Sequence, residues 1–249
     1  MSDAIYYEKP VLLDREKHKR LHVRPSTNFA FTRKANSVYL AAVEFNEAMK
    51  EFAIVFTRSA TGKVVPVAML GVRARENLFV GDGDKWDAQY IPAFVRRYPF
   101  VLAQIAGDQL AMCIDEAYGG FNLKEGDALF DEKGANTPFL ANAVEFLERY
   151  QREFTRTELF CQRLEQAGLL REMNAKADLK DGRSFTVGGL FMVDEQKLMA
   201  LPDAIALSLF RSGELHVIAM HLASLSNMNR LADRLSKRAP PLQPAPKPA

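Results

Sequence analysis

The strongest chemical signal in the sequence is a block of aromatic and basic residues between positions 86 and 100. Aromatic rings stack on planar groups and on cations, and arginine guanidinium groups bind carboxylates and phosphates through paired hydrogen bonds. A site for an anionic or aromatic ligand, or for a protein partner that carries such groups, would use this chemistry. The candidate binding residues of the block are Trp86, Tyr90, Arg96, Arg97 and Tyr98.

The spacing within the block also predicts how it packs. Trp86, Tyr90, Phe94, Tyr98 and Phe100 recur at intervals of four residues and then of two, which fits a helix that leads into a strand. We therefore expect these five side chains to form one aromatic cluster between a short helix and a sheet, with the Trp86 ring buried. A mostly exposed Trp86 would instead indicate a ligand or partner surface.

Two histidines, His216 and His221, lie on one predicted helix. Five residues rotate a helix by about 500°, so the two rings diverge by roughly 140° and cannot share a metal ion. His221 falls within the apolar stripe of this helix, four residues from Val217 and from Leu225. This position favours a buried structural imidazole. Ligand or acid–base chemistry is the alternative, and His221 is therefore a sixth candidate site residue.

No familiar catalytic or cofactor motif has the spacing that its chemistry requires. The sequence contains no G-x-S-x-G nucleophile elbow, no P-loop, no G-x-G-x-x-G and no H-E-x-x-H. The segment from Gly81 to Asp87 lacks the glycine and the glutamate of a calcium loop. The carboxylates of Asp115 and Glu116 would raise the pKa of Cys113 rather than activate its thiol. We predict no catalytic residue, no metal ion and no cofactor.

The composition is that of an ordinary globular chain close to electrical neutrality. The chain has 249 residues, of which 48% are apolar, and a formal net charge of +2. This balance argues against nucleic-acid binding by bulk charge. No secretory signal and no apolar run long enough for a membrane-spanning helix is visible, so we expect a cytoplasmic protein without membrane insertion. Cys113 and Cys161 lie in apolar segments and favour two reduced, buried thiols, with a disulfide as the open alternative.

The hydrophobic patterns predict an α+β fold. Three β-hairpins, near residues 52–70, 100–114 and 171–193, would form one or two antiparallel sheets. A long central helix begins at Thr137-Pro138 and ends before Gly168, and a C-terminal helix covers residues 214–235. These helices would cover the sheets. In the central helix we expect one side to be buried and the other to be charged and exposed. The buried side carries Phe139, Phe146, Leu147, Tyr150 and Phe154, and the outer side carries Glu145, Glu148, Arg149 and Arg152.

Two features of the predicted strands are more specific. Residues 77–80 read as a further short strand, and Pro66, which has no N–H, should lie at a sheet edge or a bulge. In the third hairpin, a three-residue loop that pairs Leu179 with Arg183 places the apolar residues of both strands on one face. A two-residue loop would separate them, and we therefore prefer the longer loop.

The predicted domain organisation is a single domain over residues 1–239. A subdivision near residues 136–170 is the alternative. Residues 240–249 hold five prolines in ten positions and predict a disordered, extended tail.

Several segments together resemble the SapC family of bacterial proteins. The resemblance covers roughly residues 5 to 235 and is most specific in the pattern W-D-x-x-Y-[IV]-P-x-F followed by RRYPF. The segments that carry it are 77–80, 86–94, 96–100, 113–116, 129–131, 137–139 and 191–202, together with the His221 helix. The family is named for a locus associated with bacterial surface-layer proteins, and it offers no established catalytic residues to carry over. The resemblance implies a role in surface-layer biogenesis or export, although this chain lacks the nonapeptide repeats of a layer protein itself.

Two hypotheses about function come from these observations. The first is a non-enzymatic cytoplasmic accessory protein that acts through contacts with a protein partner, with homo-oligomer formation left open. The second is an enzyme or small-molecule sensor whose site lies on the block from Trp86 to Phe100. A deep pocket lined by the candidate residues favours the second hypothesis, and a flat apolar patch there favours the first.

Overall fold

A computed structural model describes residues 6–106, 109–178 and 183–238. Within them, antiparallel sheets combine with helices, which confirms the predicted α+β class. The strands are β1 (Pro10–Leu12), β2 (His22–Val23), β3 (Ser37–Tyr39), β4 (Ile54–Arg58), β5 (Val64–Met69), β6 (Phe100–Ala106), β7 (Gln109–Asp115), β8 (Phe121–Asn122), β9 (Asp127–Ala128), β10 (Leu170–Asp178) and β11 (Ser184–Val193). The α-helices are α1 (Phe45–Ala48), α2 (Ala93–Arg96), α3 (Pro138–Gln166), α4 (Glu195–Met199), α5 (Asp203–Arg211), α6 (Glu214–Ser224) and α7 (Asn227–Arg238).

A five-stranded antiparallel sheet has the order β10-β11-β4-β5-β3 and contains two of the predicted hairpins. Every residue of β5 is buried, as its run of apolar residues predicts. The prediction that Pro66 lies at an edge or a bulge is wrong, because β5 lies between β4 and β3. Pro66 is nevertheless tolerated because it lies beside the end of β3, where only its carbonyl is used, by the N–H of Leu40.

The register of the β10–β11 hairpin follows its buried face. Asp178 pairs with Ser184 and Ala175 with Val187, which is the register that a three-residue loop requires. The loop residues themselves, 179–182, lie outside the described part of the chain.

A second sheet, with the order β1-β7-β6, is built on the predicted hairpin of residues 100–114. A third, small sheet has the order β8-β2-β9. The short strands β1, β2, β8 and β9 were not predicted, since two or three residues carry no detectable alternation. The predicted strand at 77–80 is wrong: this segment is a turn that makes one isolated bridge, between Val80 and Trp86.

Helix α3 connects the hydrophobic clusters of the sheets. Thr137 caps its N-terminus by accepting a hydrogen bond from the N–H of Leu140, and Pro138 occupies the first turn, as predicted. Leu147 lies in the cluster beneath β6, whereas Tyr150 and Phe160 belong to clusters of the five-stranded sheet. Glu148 and the other charged side chains of the predicted outer face are exposed, which confirms the assigned face.

The predicted helix over residues 214–235 is two helices, α6 and α7, with a break at Leu225–Ser226. The break allows polar side chains on both sides of it to reach the backbone that leads into β4. The Ser224 hydroxyl accepts the N–H of Ile54 at 3.0 Å, and the Asn227 amide donates to the carbonyl oxygens of Met49 and Phe52. A continuous helix would place these side chains at a different spacing.

Two further predictions concern the cysteines and membrane insertion. Cys113 and Cys161 are free and buried, and burial raises the pKa of both thiols, that of Cys161 to about 12. No helix in the described ranges combines the length and the apolar character that crossing a membrane would need. The single-domain assignment stays a prediction, and residues 240–249 lie outside the described part of the chain.

Candidate functional site

The five aromatic side chains of the 86–100 block do not form one cluster. No ring contact among the described residues joins two of the five. Trp86 packs against Phe29, Phe52 and Phe79. Phe94 packs against Tyr6, and Phe100 packs against Phe121 and Phe139. The prediction is wrong because α2 is only four residues long and is followed by Pro99. The chain therefore turns between the aromatic residues. Trp86, Tyr90, Phe94 and Tyr98 pack into the main core beside other side chains, whereas Phe100 lies in the cluster beneath β6.

Trp86 and Tyr90 stabilise the loop that precedes α2. The indole N–H of Trp86 donates to the carbonyl of Tyr90 at 2.9 Å, and the Trp86 ring is partly buried against the main core. The Tyr90 hydroxyl donates to the buried carboxylate of Glu44 at 2.7 Å. Burial raises the pKa of Glu44, and burial together with the Glu44 charge raises the pKa of Tyr90. Neither Trp86 nor Tyr90 lines the clefts described below.

Arg96 and Arg97 differ in their surroundings although they are adjacent. The Arg97 guanidinium is buried and lies 3.9 Å from the ring centroid of Phe94, with the Tyr150 ring at 5.3 Å. Arg96 is exposed, donates through Nε to the carbonyl of Ile91, and lies 5.4 Å from the ring centroid of Phe146. Arg96 takes part in none of the ion pairs among the described residues, but its charge acts on the buried Glu44 carboxylate and opposes the rise in the pKa of that group. Its exposed guanidinium is placed to bind an anion as well.

Tyr98 is held in place by a buried carboxylate and by aromatic stacking. Its hydroxyl donates to Asp115 at 3.2 Å, and its ring stacks on Phe31 with the centroids 4.0 Å apart. Asp115 is fully buried and also accepts the backbone N–H groups of Glu8 and Lys9. Burial, and then the charge of Asp115, raises the pKa of Tyr98, so this hydroxyl stays protonated at neutral pH.

Two clefts meet at Tyr98. The first, which we call the α3 cleft, has a volume of 410 Å³ and lies against the N-terminal half of α3. The second, the Gly120 cleft, has a volume of 540 Å³ and lies on the other side of the same wall. Both clefts are bounded by Pro25, Ser26, Tyr98 and Tyr118. Three predicted site residues therefore come together here, because Arg96, Arg97 and Tyr98 all line the α3 cleft.

The segment that separates the clefts is fixed through its backbone. The Tyr118 hydroxyl donates to the carbonyl of Arg24 at 2.9 Å, and the N–H of Arg24 donates to the carbonyl of Gly120. A Cβ atom on Gly120 would come within 2.5 Å of that Arg24 carbonyl oxygen, so only glycine allows this close approach.

The floor of the α3 cleft is one face of α3. Phe139, Ala143 and Phe146 lie at intervals of four and three residues, and all three are only partly buried. The prediction that Phe139 and Phe146 are buried is therefore wrong in degree, and the sequence did not indicate Tyr118 or Pro25 as site residues. Helical periodicity identifies the face that turns inward, but it does not show that the loop of residues 23–26 leaves part of this face open.

The described residues of the two clefts offer binding groups without acid–base groups. No carboxylate, imidazole or thiol is among the side chains that line either cleft in the described part of the chain. The titratable side chains there are arginines and the tyrosines Tyr98 and Tyr118, and burial raises the pKa of both tyrosines. This set can hydrogen-bond, stack and attract an anion, but it contains no group suited to proton transfer near neutral pH.

His221 lines neither of these clefts, and its side chain stabilises the fold. It is 0% exposed; its Nε2 accepts the N–H of Val193 at 3.1 Å, and its Nδ1 donates to the carbonyl of Ile54 at 2.9 Å. Burial lowers the pKa of His221 to about 4. Both ring nitrogens are thus engaged by backbone groups of β4 and β11, which matches the structural interpretation and leaves neither nitrogen for a ligand. His216 is exposed, as the helix geometry predicts.

Side chains that could bind a metal ion do not cluster in the described part of the chain. In residues 6–106, 109–178 and 183–238, no three His, Cys, Asp or Glu side chains gather in a group that could hold a metal ion.

Comparison with models of known protein families identifies the family of this chain from its sequence. The family model of SapC matches residues 13–231, which is most of the chain. The chain belongs to the SapC family. No curated protein and no solved structure shows significant similarity to it. The SapC match spans the whole 86–100 block, both clefts and α6, so the elements that build the candidate site all lie within the family region.

Proposed function

We propose that this SapC-family chain is a non-enzymatic accessory protein that binds an acidic segment of a partner protein in the α3 cleft. The observation that carries the proposal is the lining of the two clefts, which combines aromatic and basic side chains with no carboxylate, imidazole or thiol among the described residues. Catalysis of acyl, phosphoryl or proton transfer needs such a group or a metal ion near the reacting atoms. Binding needs none of them.

The charge of the clefts indicates the character of the partner segment. Arg96 and Arg97 line the α3 cleft without an acidic side chain among its described lining residues. Arg24 lines the Gly120 cleft and pairs with Glu125 at 3.1 Å. The apolar floor of Phe139, Ala143 and Phe146 would bind an apolar side chain of the segment. A carboxylate next to that side chain would bind Arg96, whose guanidinium lies over the Phe146 ring.

A small-molecule ligand is the second candidate, and one observation favours it. The volumes of the two clefts, 410 and 540 Å³, fall in the range of small-molecule sites. The matching ligand would be an organic anion with an aromatic or apolar body. A sensor or an enzyme of unrecognised type would use the site in this way.

The test compares a variant that fills the cleft with a matched control. Ala143→Trp places a large side chain on the cleft floor, and Ala141→Trp places the same side chain on an exposed position of the same helix. Proteins captured from the native host by the purified chain are quantified by mass spectrometry, and the native mass of the chain reports any small ligand. We expect Ala143→Trp, and not Ala141→Trp, to lose one defined captured protein by at least about tenfold.

Other outcomes decide between the candidates or reject both. A mass increase of a few hundred daltons that only Ala143→Trp abolishes would replace the protein partner with a small ligand. Identical captured proteins and identical native masses for the wild type and both variants would contradict a function of the α3 cleft.

The cellular role is part of the same proposal. The name of the family comes from a surface-layer locus, and we place the chain in the cytoplasm as an accessory to surface-layer biogenesis or export. Deletion of the gene in a host that makes a surface layer is expected to reduce the layer protein outside the cell, and Arg96→Gln to reproduce part of the defect. An unchanged surface layer in the deletion strain would contradict this role, whatever the cleft binds.

A further inference from the structure

Helix α7 carries a stripe of positive charge beside its buried apolar face. The apolar face packs in the main core. At 100° per residue, Lys237 lies about 20° to one side of Arg230, and Arg234 and Arg238 lie about 40° and 80° to the other. Four cations therefore occupy a narrow stripe along about 12 Å of one helix.

The stripe forms one wall of a further cleft, which we call the α7 cleft. This cleft has a volume of 340 Å³, and the wall that α7 does not supply comes from Leu78 and Asp87. The described residues that line it carry four positive charges and two negative ones, the second carboxylate being that of Asp233. The lining therefore has an excess of positive charge.

Two guanidinium groups of the stripe are anchored to the same turn of the backbone. Arg234 donates to the carbonyl of Leu78 at 3.3 Å, and Arg238 donates to the carbonyls of Asn77 and Val80 at 2.9 and 2.8 Å. These carbonyl groups carry no net charge. The contacts therefore fix the two cations at the cleft without neutralising them.

The carboxylates at the cleft compensate the stripe only in part. Asp87 pairs with Arg234 at 2.5 Å. The other three cations of the stripe take part in no ion pair among the described residues, and neither does Asp233. The cleft thus combines fixed hydrogen-bond donors with positive charge that the described part of the chain does not balance.

We propose that the α7 cleft binds the phosphate group of a soluble phosphate monoester. Such a group carries close to two negative charges and three acceptor oxygens, and arginine binds it through paired hydrogen bonds. Arg234 and Arg238 supply guanidinium groups that lose little freedom on binding, because the turn already holds them. Lys237 adds a charge on an exposed side chain. This inference does not depend on the α3 cleft.

The surroundings favour a compact phosphate over an extended polyanion or a lipid surface. Asp87 and Asp233 would repel a nucleic acid or an acidic peptide whose charges continue along the helix. An amphipathic helix binds a lipid surface through its apolar face, and that of α7 is buried in the core. A single phosphate needs only the space between the cations, and the volume of the cleft lies in the range of small-molecule sites.

The first experiment is an NMR titration of the isotope-labelled full chain. The probes are inorganic phosphate and glycerol 3-phosphate, added at constant ionic strength with chloride as the balancing anion. We expect the side-chain Nε–H signals of Arg234 and Arg238 to shift and to saturate with a Kd of about 5 mM or below for glycerol 3-phosphate. Replacing the phosphate with chloride is expected to leave these signals unchanged.

Two variants of opposite charge change then test the site. The side chain of Lys237 forms no hydrogen bond or ion pair within the described residues, so Lys237→Gln is expected to weaken binding about fivefold without changing the melting temperature. Asp233→Asn removes an unpaired carboxylate and is expected to tighten binding about threefold. Lys133→Gln and Glu132→Gln make the same charge changes at exposed positions outside the cleft, and we expect both to bind like the wild type.

Three results would overturn the inference. These are unshifted arginine signals with both phosphates up to about 50 mM, an equal loss of affinity in Lys237→Gln and Lys133→Gln, and an affinity that Asp233→Asn does not raise. Vesicles that contain anionic lipid separate a lipid headgroup from a soluble phosphate. Sedimentation of the wild type with them, lost in Lys237→Gln and without a response to either soluble phosphate, would assign the stripe to a membrane surface instead.

Discussion

At the scale of single residues, His221 joins three elements by hydrogen bonds. It lies on α6, accepts from the backbone of β11 and donates to the backbone of β4. His221→Leu leaves the N–H of Val193 and the carbonyl of Ile54 buried without partners, and we expect it to lower the free energy of unfolding by about 2–5 kcal/mol. Urea denaturation measures this value, with the exposed His216→Leu as the control. A loss below about 0.5 kcal/mol would contradict the role.

The same residue predicts a pH dependence. Because the pKa of His221 is lowered to about 4 in the folded chain, against an ordinary value of 6.5, the unfolded chain binds the proton first as the pH falls. Stability from the neutral ring is complete above pH 6.5 and is lost between pH 6.5 and 4, by about 3 kcal/mol. The stability difference between the wild type and His221→Leu should shrink across this interval. Parallel pH profiles would disprove the assignment.

Asp115 is a second residue on which the local structure depends. Its Oδ1 atom accepts the N–H groups of Lys9 and Ala117, and its Oδ2 atom accepts the N–H of Glu8 and the hydroxyl of Tyr98. Asp115→Asn replaces one acceptor oxygen with a donor that faces other donors, so we expect a loss of about 2–4 kcal/mol.

Hydrogen exchange reports where the effect of Asp115→Asn appears. Glu8 and Lys9 bind different oxygens of Asp115, so the amide whose acceptor oxygen becomes an NH₂ group should exchange faster. Glu116→Gln, at the neighbouring, partly exposed carboxylate, should leave both amides protected. Equal protection of these amides in the wild type and in Asp115→Asn would show that the carboxylate does not anchor this segment.

At the scale of elements, the break between α6 and α7 is maintained by side chains that bind backbone groups. Asn227→Ala would leave the carbonyl groups of Met49 and Phe52 without their donor, and we expect a loss of about 2–3 kcal/mol in unfolding free energy. Asn229→Ala, at an exposed position of the same helix, is the control. A destabilisation equal in the two variants would show that the contact of Asn227 contributes nothing.

Elements with long periodic patterns could be predicted from the sequence, and strands of two or three residues could not. The 29 residues of α3 supply eight helical turns of pattern and both capping signals, and all six residues of β5 are buried in one continuous apolar run. The strands β2, β8 and β9 have two residues each and form only because tertiary contacts bring them together. The α6–α7 break also depends on a distant partner, the segment before β4.

At the scale of the whole molecule, the candidate site could be predicted only in part, because one of its walls depends on contacts between residues that are distant in sequence. Arg96, Arg97 and Tyr98 are adjacent in sequence and reach one cleft, as a block suggests. Trp86 packs against the main core and Tyr90 binds Glu44, because the turn before α2 directs both side chains away from the clefts. The opposite wall comes from Pro25 and Tyr118, whose position depends on the Gly120 contact, a long-range event that local spacing does not encode.

Two surfaces with different chemistry therefore lie on one chain. The clefts at Tyr98 are aromatic and basic, whereas the α7 cleft is lined mainly by charged side chains. The central claim concerns the clefts at Tyr98: the α3 cleft binds a partner protein.

The most direct test is photo-crosslinking from the cleft floor in cells that produce the protein naturally. A benzophenone amino acid replaces Ala143 in one version of the chain and the exposed Ala141 in another. We predict a discrete protein adduct from position 143, absent from position 141 and lost when Arg96→Gln is added, while Arg149→Gln on the exposed face of α3 leaves it intact. No adduct from position 143, or the same adduct from both positions, would contradict the account.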